Sequence, residues 1–322
     1  MQYRRLGSSG LKLSALSFGS WVTFDKQVDA ELAERLFGTC LDAGVNFFDN
    51  AEGYEAGNAE IVMGKALKAL TAPRDSYCVS SKVFFGSREN PKPTQQGLSR
   101  KHVTEACHQA LARLQLDYLD LYFCHRPDPD TPIEETVWAM HNLIAQGKVL
   151  YWGTSEWSGE QITAAYEFAR SNHLTPPSME QPQYNLLDRK RVEVEYAPLY
   201  EKYGLGTTTW SPLASGTLTG KYLTAVPEDS RIGLPGYEWL REMLVDSERG
   251  QARMQRIQSL PPIAEALGVT PAQLAIAWCL LNPNVSTVIL GASRVAQLEE
   301  NLAAIKVLDS IDGEVRSALS AI

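Results

Sequence analysis

The sequence lacks the residue pairs and clusters that ligate metals or carry redox chemistry. Its five cysteines stand singly along 322 residues, with no Cys-x-x-Cys spacing and no His-Glu-x-x-His motif. Zinc and dithiol redox sites are therefore unsupported, and we predict no metal site. Isolated cysteines in apolar runs are typical of reduced thiols in a core, which predicts a cytoplasmic location.

Positive charge and long apolar runs are scarce as well. The chain has 30 lysines and arginines against 38 aspartates and glutamates, a net charge of −8. Nucleic-acid-binding surfaces need a basic stripe, so we expect no nucleic-acid partner. The longest apolar stretch lies around residues 275–281, far short of the roughly 20 residues of a membrane helix, and the first residues hold no signal-peptide core. We therefore expect no membrane insertion.

What the sequence does contain is a regular alternation of short apolar or β-branched runs with amphipathic stretches. After a predicted hairpin at residues 3–6 and 11–15, the predicted strands lie at 15–19, 45–49, 77–82, 119–125, 149–155, 178–181, 205–210 and 286–290. The predicted helices lie at 29–43, 59–70, 102–114, 132–146, 159–171, 191–203, 272–281, 295–305 and 309–322. Repeated crossovers of this kind make parallel sheets, and eight of them favour an α/β fold of the (β/α)8 TIM-barrel type.

A doubly wound sheet is the alternative fold. It would carry Gly-x-Gly-x-x-Gly after its first strand, and that motif does not occur. Since no linker or low-complexity segment interrupts the chain, we predict a single barrel domain over residues 1–322. Two long connections, 84–98 and 211–249, follow predicted strand ends and would lie on the C-terminal face of the barrel.

Polar residues close several of the predicted strands, where barrel enzymes carry their chemistry. Asp49 and Lys82 end two neighbouring strands, Tyr54 follows shortly after the first, and His125 ends a third. A lysine ammonium favours the phenolate and lowers a tyrosine pKa, while an aspartate would keep that lysine charged. His125 would bond a carbonyl oxygen or help relay a proton. A plain salt bridge and a packing tyrosine remain the structural alternative.

Longer motifs carry a resemblance to a known family. They include Phe-Asp-Asn-Ala-Glu-Gly-Tyr at 48–54, Gly-Leu-Ser-Arg-Lys-His at 97–102, Tyr-Trp-Gly-Thr-Ser at 151–155, Trp-Ser-Pro-Leu-Ala at 210–214 and Leu-Gly-Ala-Ser at 290–293. Together they resemble the aldo-keto reductase superfamily, NADPH-dependent carbonyl reductases on a (β/α)8 barrel. Within it, the chain most resembles the voltage-gated potassium-channel beta-subunit branch. The resemblance implies a catalytic tetrad of Asp49, Tyr54, Lys82 and His125, with Tyr54 as the general acid.

The resemblance also implies an NADPH cofactor and a small carbonyl substrate. The implied cofactor-binding residues are Ser20, Trp21, Gln27, Asp49, Ser155, Gln181, Trp210, Ser211, Leu213, Ala214, Ser215, Lys221, Arg231, Gly291, Ser293, Gln297, Glu300 and Asn301. The substrate pocket would be shaped by Trp21, Tyr54, Phe84, Phe85, His125 and Trp157. A homo-oligomer is expected on the same ground, because channel beta subunits form rings.

Two departures from the channel subunits bear on function. This chain has His125 where those proteins carry asparagine, and Glu156 where they carry arginine. The histidine favours a reductase over the alternative, a cofactor-sensing regulatory subunit of a potassium channel. The acidic Glu156 makes a phosphate contact at its position doubtful. A metal-free sugar isomerase on the same fold is disfavoured by Lys82 beside Tyr54 and by Trp210.

Overall fold

A short hairpin precedes the main sheet in the computed structural model. The structure describes residues 1–21, 28–227, 230–233 and 236–322, and of Arg231 it describes only the backbone. Strand β1 (Tyr3–Arg5) pairs antiparallel with β2 (Lys12–Ser14). Their turn requires Gly7, whose φ is +55° and whose Cβ would lie 2.1 Å from the carbonyl oxygen of Gly204. The hairpin therefore packs against the segment that leads into the strand beginning at Gly206. Its position agrees with the hairpin that the sequence predicted.

Eight parallel strands close into a barrel in chain order. They are β3 (Leu16–Gly19), β4 (Phe47–Asp49), β5 (Cys78–Val83), β6 (Leu119–Cys124), β7 (Val149–Ser155), β8 (Met179–Gln181), β9 (Gly206–Thr209) and β10 (Thr287–Leu290). The last strand pairs with the first through Val288 and Leu16, which completes the ring. The predicted (β/α)8 barrel with an N-terminal hairpin is confirmed.

Helices connect and follow the strands. They are α1 (Ala30–Asp42), α2 (Asn58–Ala69), α3 (Arg100–Leu114), α4 (Ile133–Ala145), α5 (Gly159–Ser171), α6 (Ala197–Tyr203), α7 (Glu238–Arg241), α8 (Glu248–Ile257), α9 (Leu260–Ala266), α10 (Pro271–Leu280), α11 (Val295–Leu302) and α12 (Gly313–Ser320). Several helices are preceded by a capping residue whose side chain accepts a hydrogen bond from a backbone N–H of the first turn. These residues are Asp29 before α1, Ser99 before α3, Ser158 before α5 and Thr270 before α10. Such caps satisfy backbone N–H groups that have no partner within the helix.

The barrel interior is closed at the end where the strands begin. Leu6 and Leu13 of the hairpin are fully buried and join Phe47, Phe123 and other inward side chains in one apolar cluster. Burial of such side chains is the main favourable term in folding. With that end filled by the hairpin, polar side chains are left to the opposite end, where the strands finish.

The structure differs from the predicted helices in four places. The helix predicted at 191–203 is a π-turn at Arg191–Glu195 followed by α6. The helix predicted at 295–305 is α-helical only as far as the end of α11, and a 3-10 helix follows it at Ala303–Ser310. The helix predicted at 309–322 is shorter in the structure, where it is α12. The connection after β9 contains α7, α8 and α9, which the apolar pattern did not indicate. Their residues are largely polar or, in α9, include two prolines near the start.

The chain forms two compact units. The first comprises Met1–Pro182, Lys190–Trp210 and Asn284–Glu299 and contains the barrel; the second comprises Gln183–Arg189, Ser211–Pro283 and Glu300–Ile322. A cluster of Tyr222, Ile232, Leu240 and Leu244 is buried in the second unit. The single domain over 1–322 stays a prediction.

Membrane-spanning potential is limited to a bent pair of segments. In the described part of the chain, no single helix is long and apolar enough to cross a bilayer. Glu248–Ala266 and Pro271–Leu280 meet the length and composition test only together, with a bend of 96° between them.

Candidate active site

A buried lysine at the end of β5 organises the strand ends. Lys82 Nζ donates to Asp49 Oδ2 (2.6 Å), to the carbonyl oxygen of Asn50 (2.8 Å) and to Tyr54 Oη (3.0 Å). Its three N–H bonds thus all have acceptors, as a buried ammonium requires. Because the Tyr54 hydroxyl accepts from Lys82, its own hydrogen points away from the ammonium. The geometry leaves that proton available to a molecule on the other side of the hydroxyl.

Side chains from β5 and β8 hold the Asp49 carboxylate in place. Its Oδ1 accepts from Ser80 Oγ (2.7 Å) on β5 and from Gln181 Nε2 (3.0 Å) at the end of β8. The Asp49–Lys82 ion pair is almost completely buried, at 4% and 0% side-chain exposure. A buried pair is stable only when its remaining hydrogen-bonding capacity is met, and these contacts meet it.

The protonation states follow from burial and charge. Burial lowers the pKa of Lys82, but the Asp49 carboxylate and the Tyr54 hydroxyl outweigh it, so the pKa lies above its ordinary value. Burial raises the pKa of Tyr54, and the Lys82 ammonium offsets this only in part. The sequence led us to expect a lowered tyrosine pKa; the lysine acts in that direction, but desolvation is larger. At neutral pH the lysine is charged and the tyrosine is protonated.

His125 directly follows β6 and faces Tyr54. The two rings meet edge to face, with centroids 5.7 Å apart. Burial, together with the charges of Lys82 and Arg126, holds the pKa of His125 well below its usual range, so the imidazole is neutral. Its Nδ1 atom is buried and has no hydrogen-bond partner among the described residues. A neutral imidazole in this place can donate a hydrogen bond but is not a strong acid.

The predicted substrate residues divide into three groups. Phe85 lies beside His125 (ring centroids 5.1 Å apart), and Phe84 lies beside Phe85 (5.0 Å). Because His125 itself contacts Tyr54, the two phenylalanine rings lie near the proposed site. Trp21 meets Trp210 edge to face at 5.8 Å. Trp157 is 3% exposed and thus buried in the first unit.

Several predicted cofactor residues of the first unit are tied to the site by hydrogen bonds. Ser20 donates from its backbone N–H to the carbonyl oxygen of Asp49 (3.1 Å), and Ser155 Oγ donates to the carbonyl oxygen of Gln181 (2.9 Å). Trp210 Nε1 donates to Glu156 (3.0 Å), which also pairs with Arg191. Glu156 is therefore engaged with an indole and a guanidinium.

Three other predicted cofactor residues of the first unit, Gly291, Ser293 and Gln297, lie after β10. The backbone N–H of Ser293 donates to Gln297 Oε1 (3.2 Å) just before α11, while Gly291 is exposed.

The second unit contains the remaining predicted cofactor residues that the structure describes. They are Ser211, Leu213, Ala214, Ser215, Lys221, Glu300 and Asn301. Gly216 turns the chain with a φ of +93°, and a Cβ there would lie 3.2 Å from Lys221 Nζ. Asn301 is 2% exposed, and its Nδ2 atom has no partner within the described ranges. Gln27 and the side chain of Arg231 lie outside the described residues.

The residues predicted for the site leave out two buried carboxylates near the strand ends. Glu52 accepts backbone N–H bonds from the loop after β5, and its only sequence signal is its place in the motif that precedes Tyr54. Glu180, on β8, accepts from Thr154 and Tyr196, and burial raises its pKa to about 8. Within residues 1–21, 28–227, 230–233 and 236–322, no three His, Cys, Asp or Glu side chains are grouped to hold a metal.

Comparison with known proteins bears directly on this geometry. A model of the aldo/keto reductase family matches residues 15–318. A probable voltage-gated potassium channel subunit beta of Arabidopsis thaliana is 52% identical over 310 residues, covering 96% of this chain and 92% of that protein. A protein of the same description from Oryza sativa subsp. japonica is 50% identical over 324 residues, covering 100% and 96%. These matches confirm the resemblance that the motifs indicated.

Proposed function

Since the chain belongs to the aldo/keto reductase family, we propose that it is an NADPH-dependent oxidoreductase that reduces aldehydes and ketones to alcohols, with Tyr54 as the general acid. Family membership supports oxidoreductase activity, small carbonyl substrates and a nicotinamide cofactor. One observation carries the finer proposal: Lys82 Nζ donates to Tyr54 Oη over 3.0 Å from within a buried ion pair with Asp49.

In the proposed reaction, Tyr54 donates its proton to the carbonyl oxygen of the substrate. Its hydroxyl is protonated at neutral pH, and its hydrogen points away from Lys82. When bound, NADPH supplies the hydride that the carbonyl carbon accepts. Transfer of the tyrosine proton neutralises the charge that develops on the carbonyl oxygen. The Lys82 ammonium then stabilises the tyrosinate, and Asp49 keeps that ammonium in place.

His125 is proposed to orient the carbonyl group. Because its imidazole is neutral, it contributes a hydrogen bond and not a full positive charge. Its ring stands 5.7 Å from the Tyr54 ring, so a carbonyl oxygen beside the tyrosine hydroxyl is also beside the histidine. We therefore assign the proton to Tyr54 and the substrate orientation to His125.

Observations in each unit support a dinucleotide cofactor. In the second unit, Asn301 has a buried amide nitrogen with no described partner, and the backbone turn at Gly216 lies so close to Lys221 that a Cβ would come within 3.2 Å of the ammonium. A lysine ammonium and such a turn suit a phosphate group. In the first unit, Gln181 and Trp210 offer an amide and an aromatic ring near the Asp49 end of the barrel. NADPH in place of NADH, a cytoplasmic location and a homo-oligomer stay predictions.

A second candidate function is a cofactor-sensing regulatory subunit of a potassium channel. It is favoured by the descriptions of both plant relatives as probable channel beta subunits. Under that function, NADPH would bind tightly while carbonyl turnover would be negligible. The two functions thus differ in turnover and not in cofactor binding.

The deciding experiment compares the wild-type protein with Tyr54→Phe. We expect the wild type to oxidise NADPH when aldehydes are added. The measurement is the loss of the absorbance of the reduced nicotinamide. Removing the hydroxyl should lower single-turnover reduction by at least about 10²-fold, since a general acid contributes about that much. NADPH affinity, measured by fluorescence quenching, should be nearly unchanged, and the phenylalanine ring should preserve packing.

Two results would contradict the proposal. Retained turnover in Tyr54→Phe would show that another group supplies the proton. A wild type that binds NADPH tightly but reduces no member of an aldehyde and ketone panel would favour the regulatory-subunit function. Equal dissociation constants for NADPH and NADH would remove the proposed cofactor preference alone.

A further inference from the structure

Glu52 joins two loops beside the proposed acid. Its side chain is 1% exposed, and it stands between Asp49 and Tyr54 in the loop after β4. One of its oxygens, Oε1, accepts from the backbone N–H groups of Phe84 (2.9 Å) and Gly86 (3.0 Å) in the loop after β5. The other oxygen, Oε2, is buried without a hydrogen-bond partner in the part of the chain that the structure describes.

A third contact closes this arrangement from the helix layer. His102 Nε2, on α3, lies 3.0 Å from the same Oε1 atom of Glu52. The backbone N–H of Glu52 in turn donates to the carbonyl oxygen of Lys82 (3.1 Å). Glu52 is therefore anchored to β5 through its backbone and to α3 through its side chain.

The hydrogen bonds that Glu52 accepts hold an aromatic side chain against the reaction centre. Phe85 stands in the chain between Phe84 and Gly86, whose N–H groups donate to Glu52. The centroid of its ring is 5.1 Å from that of the His125 ring. On the other side, a Cβ built at Gly53 would lie 3.2 Å from Phe85 Cβ, so the two loops touch. The position of Phe85 relative to Tyr54 and His125 thus depends on how the loops are joined.

Charge makes Glu52 an effective junction. Hydrogen bonds to a carboxylate are roughly twice as strong as those between neutral groups. Without Glu52, the buried N–H group of Gly86 and the partly buried N–H of Phe84 would lose their acceptor, which a compact loop tolerates poorly. The loop would be expected to rearrange until both groups found water or another acceptor.

We infer that Glu52 is a positioning residue that fixes the Phe84–Gly86 loop beside Tyr54 and thereby sets selectivity for aromatic over small aliphatic carbonyl substrates. This inference rests on the proposed function. Phe85 and His125 offer edges and faces against which an aromatic aldehyde packs. Releasing the loop removes this wall, and binding of an aromatic aldehyde suffers more than binding of a small one.

The experiment uses Glu52→Gln and Glu52→Ala, with Asp120→Asn as the matched control. Asp120 is also a buried carboxylate that accepts a backbone N–H, from Val79, but it lies near the start of β6. We expect the ratio of kcat/KM for benzaldehyde to that for propanal to fall at least tenfold in Glu52→Ala, mainly through KM. A smaller fall is expected in Glu52→Gln, which keeps a neutral acceptor oxygen, and none in Asp120→Asn.

Hydrogen exchange followed by mass spectrometry provides a readout that needs no turnover. Exchange in peptides spanning residues 83–90 should be at least tenfold faster in both Glu52 variants and unchanged in Asp120→Asn. If exchange there stays at the wild-type rate, Glu52 does not hold the loop and the inference is wrong. If exchange quickens while the benzaldehyde to propanal ratio stays within twofold, the loop does not set selectivity, and the inference is equally wrong. A wild type that reduces neither aldehyde overturns the proposed function, and with it the assignment of selectivity.

Discussion

Lys82 acts on the protonation of Tyr54 and His125, although burial is the larger cause at both side chains. It is fully buried, and its charge is balanced by Asp49. Removing either partner would leave an unpaired buried charge, which typically destabilises a protein by about 3–5 kcal/mol. The same ammonium helps hold the pKa of His125 well below its usual range. The histidine is therefore a neutral hydrogen-bond donor in the pH range where a free imidazole would titrate.

At the residue scale, we predict that His125→Asn weakens catalysis without changing its pH profile. The asparagine amide also donates a hydrogen bond, but it is shorter and loses the ring contacts with Tyr54 and Phe85. A hydrogen bond that is lost or poorly aligned is worth about 0.5–1.5 kcal/mol, so kcat/KM for an aldehyde should fall up to about tenfold.

The measurement is kcat/KM between about pH 5.5 and 8, where an unperturbed histidine titrates. His108→Asn, on the exposed side of α3, serves as the control and should match the wild type. A limb of the wild-type profile near pH 6.5 that vanishes in His125→Asn would show that His125 does titrate during turnover.

At the element scale, β7 and β8 approach each other too closely for any side chain at one position. Gly153 pairs with Met179, and a Cβ on Gly153 would lie 2.1 Å from the Met179 carbonyl oxygen. The contact is with backbone, so no rotamer change relieves it. This close approach aligns the ends of both strands, which carry Ser155 and Gln181.

We predict that Gly153→Ala lowers the free energy of unfolding by about 3 kcal/mol, the upper end of what overpacking in a core usually does. Gly313→Ala is the control, because a Cβ at the first residue of α12 meets nothing within 4 Å. Urea unfolding of both variants supplies the measurement. Equal stability of Gly153→Ala and Gly313→Ala would show that β7 and β8 separate at little cost.

At the scale of the whole molecule, stability should depend on the proton of a buried carboxyl group. Burial raises the pKa of Glu180 to about 8, and the nearby Glu156 carboxylate acts in the same direction, while Thr154 and Arg191 oppose it. The folded state therefore keeps a proton that the unfolded chain releases near its ordinary pKa of 4.5. That contribution to stability is complete below the unfolded pKa and is lost as pH rises toward 8.

We predict that Glu180→Gln, which cannot titrate, removes this pH dependence. Relative to the variant, the wild type should lose about 1.4 kcal/mol of unfolding free energy per pH unit between about pH 5 and 7.5. Denaturant unfolding of both proteins at several pH values measures the difference. His125 has the opposite effect on stability, but it is common to both proteins and cancels. Parallel curves would mean that Glu180 is ionised in the folded state.

The sequence by itself determined the barrel and predicted the side chains that meet around Lys82. Strand and helix periodicity are local properties of the chain, and a parallel order of alternating elements closes in few ways. The polar residues that close the predicted strands pointed to Asp49, Lys82 and His125 from the sequence alone. The helices of the connection after β9 were missed because α8 consists largely of polar and charged residues and α9 has two prolines near its start.

Only the tertiary structure decided how those side chains act on one another. The net shift of the Tyr54 pKa depends on burial, which the sequence does not reveal. Burial raises this pKa by more than the Lys82 ammonium lowers it. The neutrality of His125 likewise follows from desolvation first, and then from the charges of Lys82, on another strand, and of the adjacent Arg126. Glu52 reaches loop and helix residues 32 to 50 positions away, so no local pattern could reveal its contacts. Local periodicity specifies elements, whereas protonation and loop placement arise from neighbours that are close in space and distant in sequence.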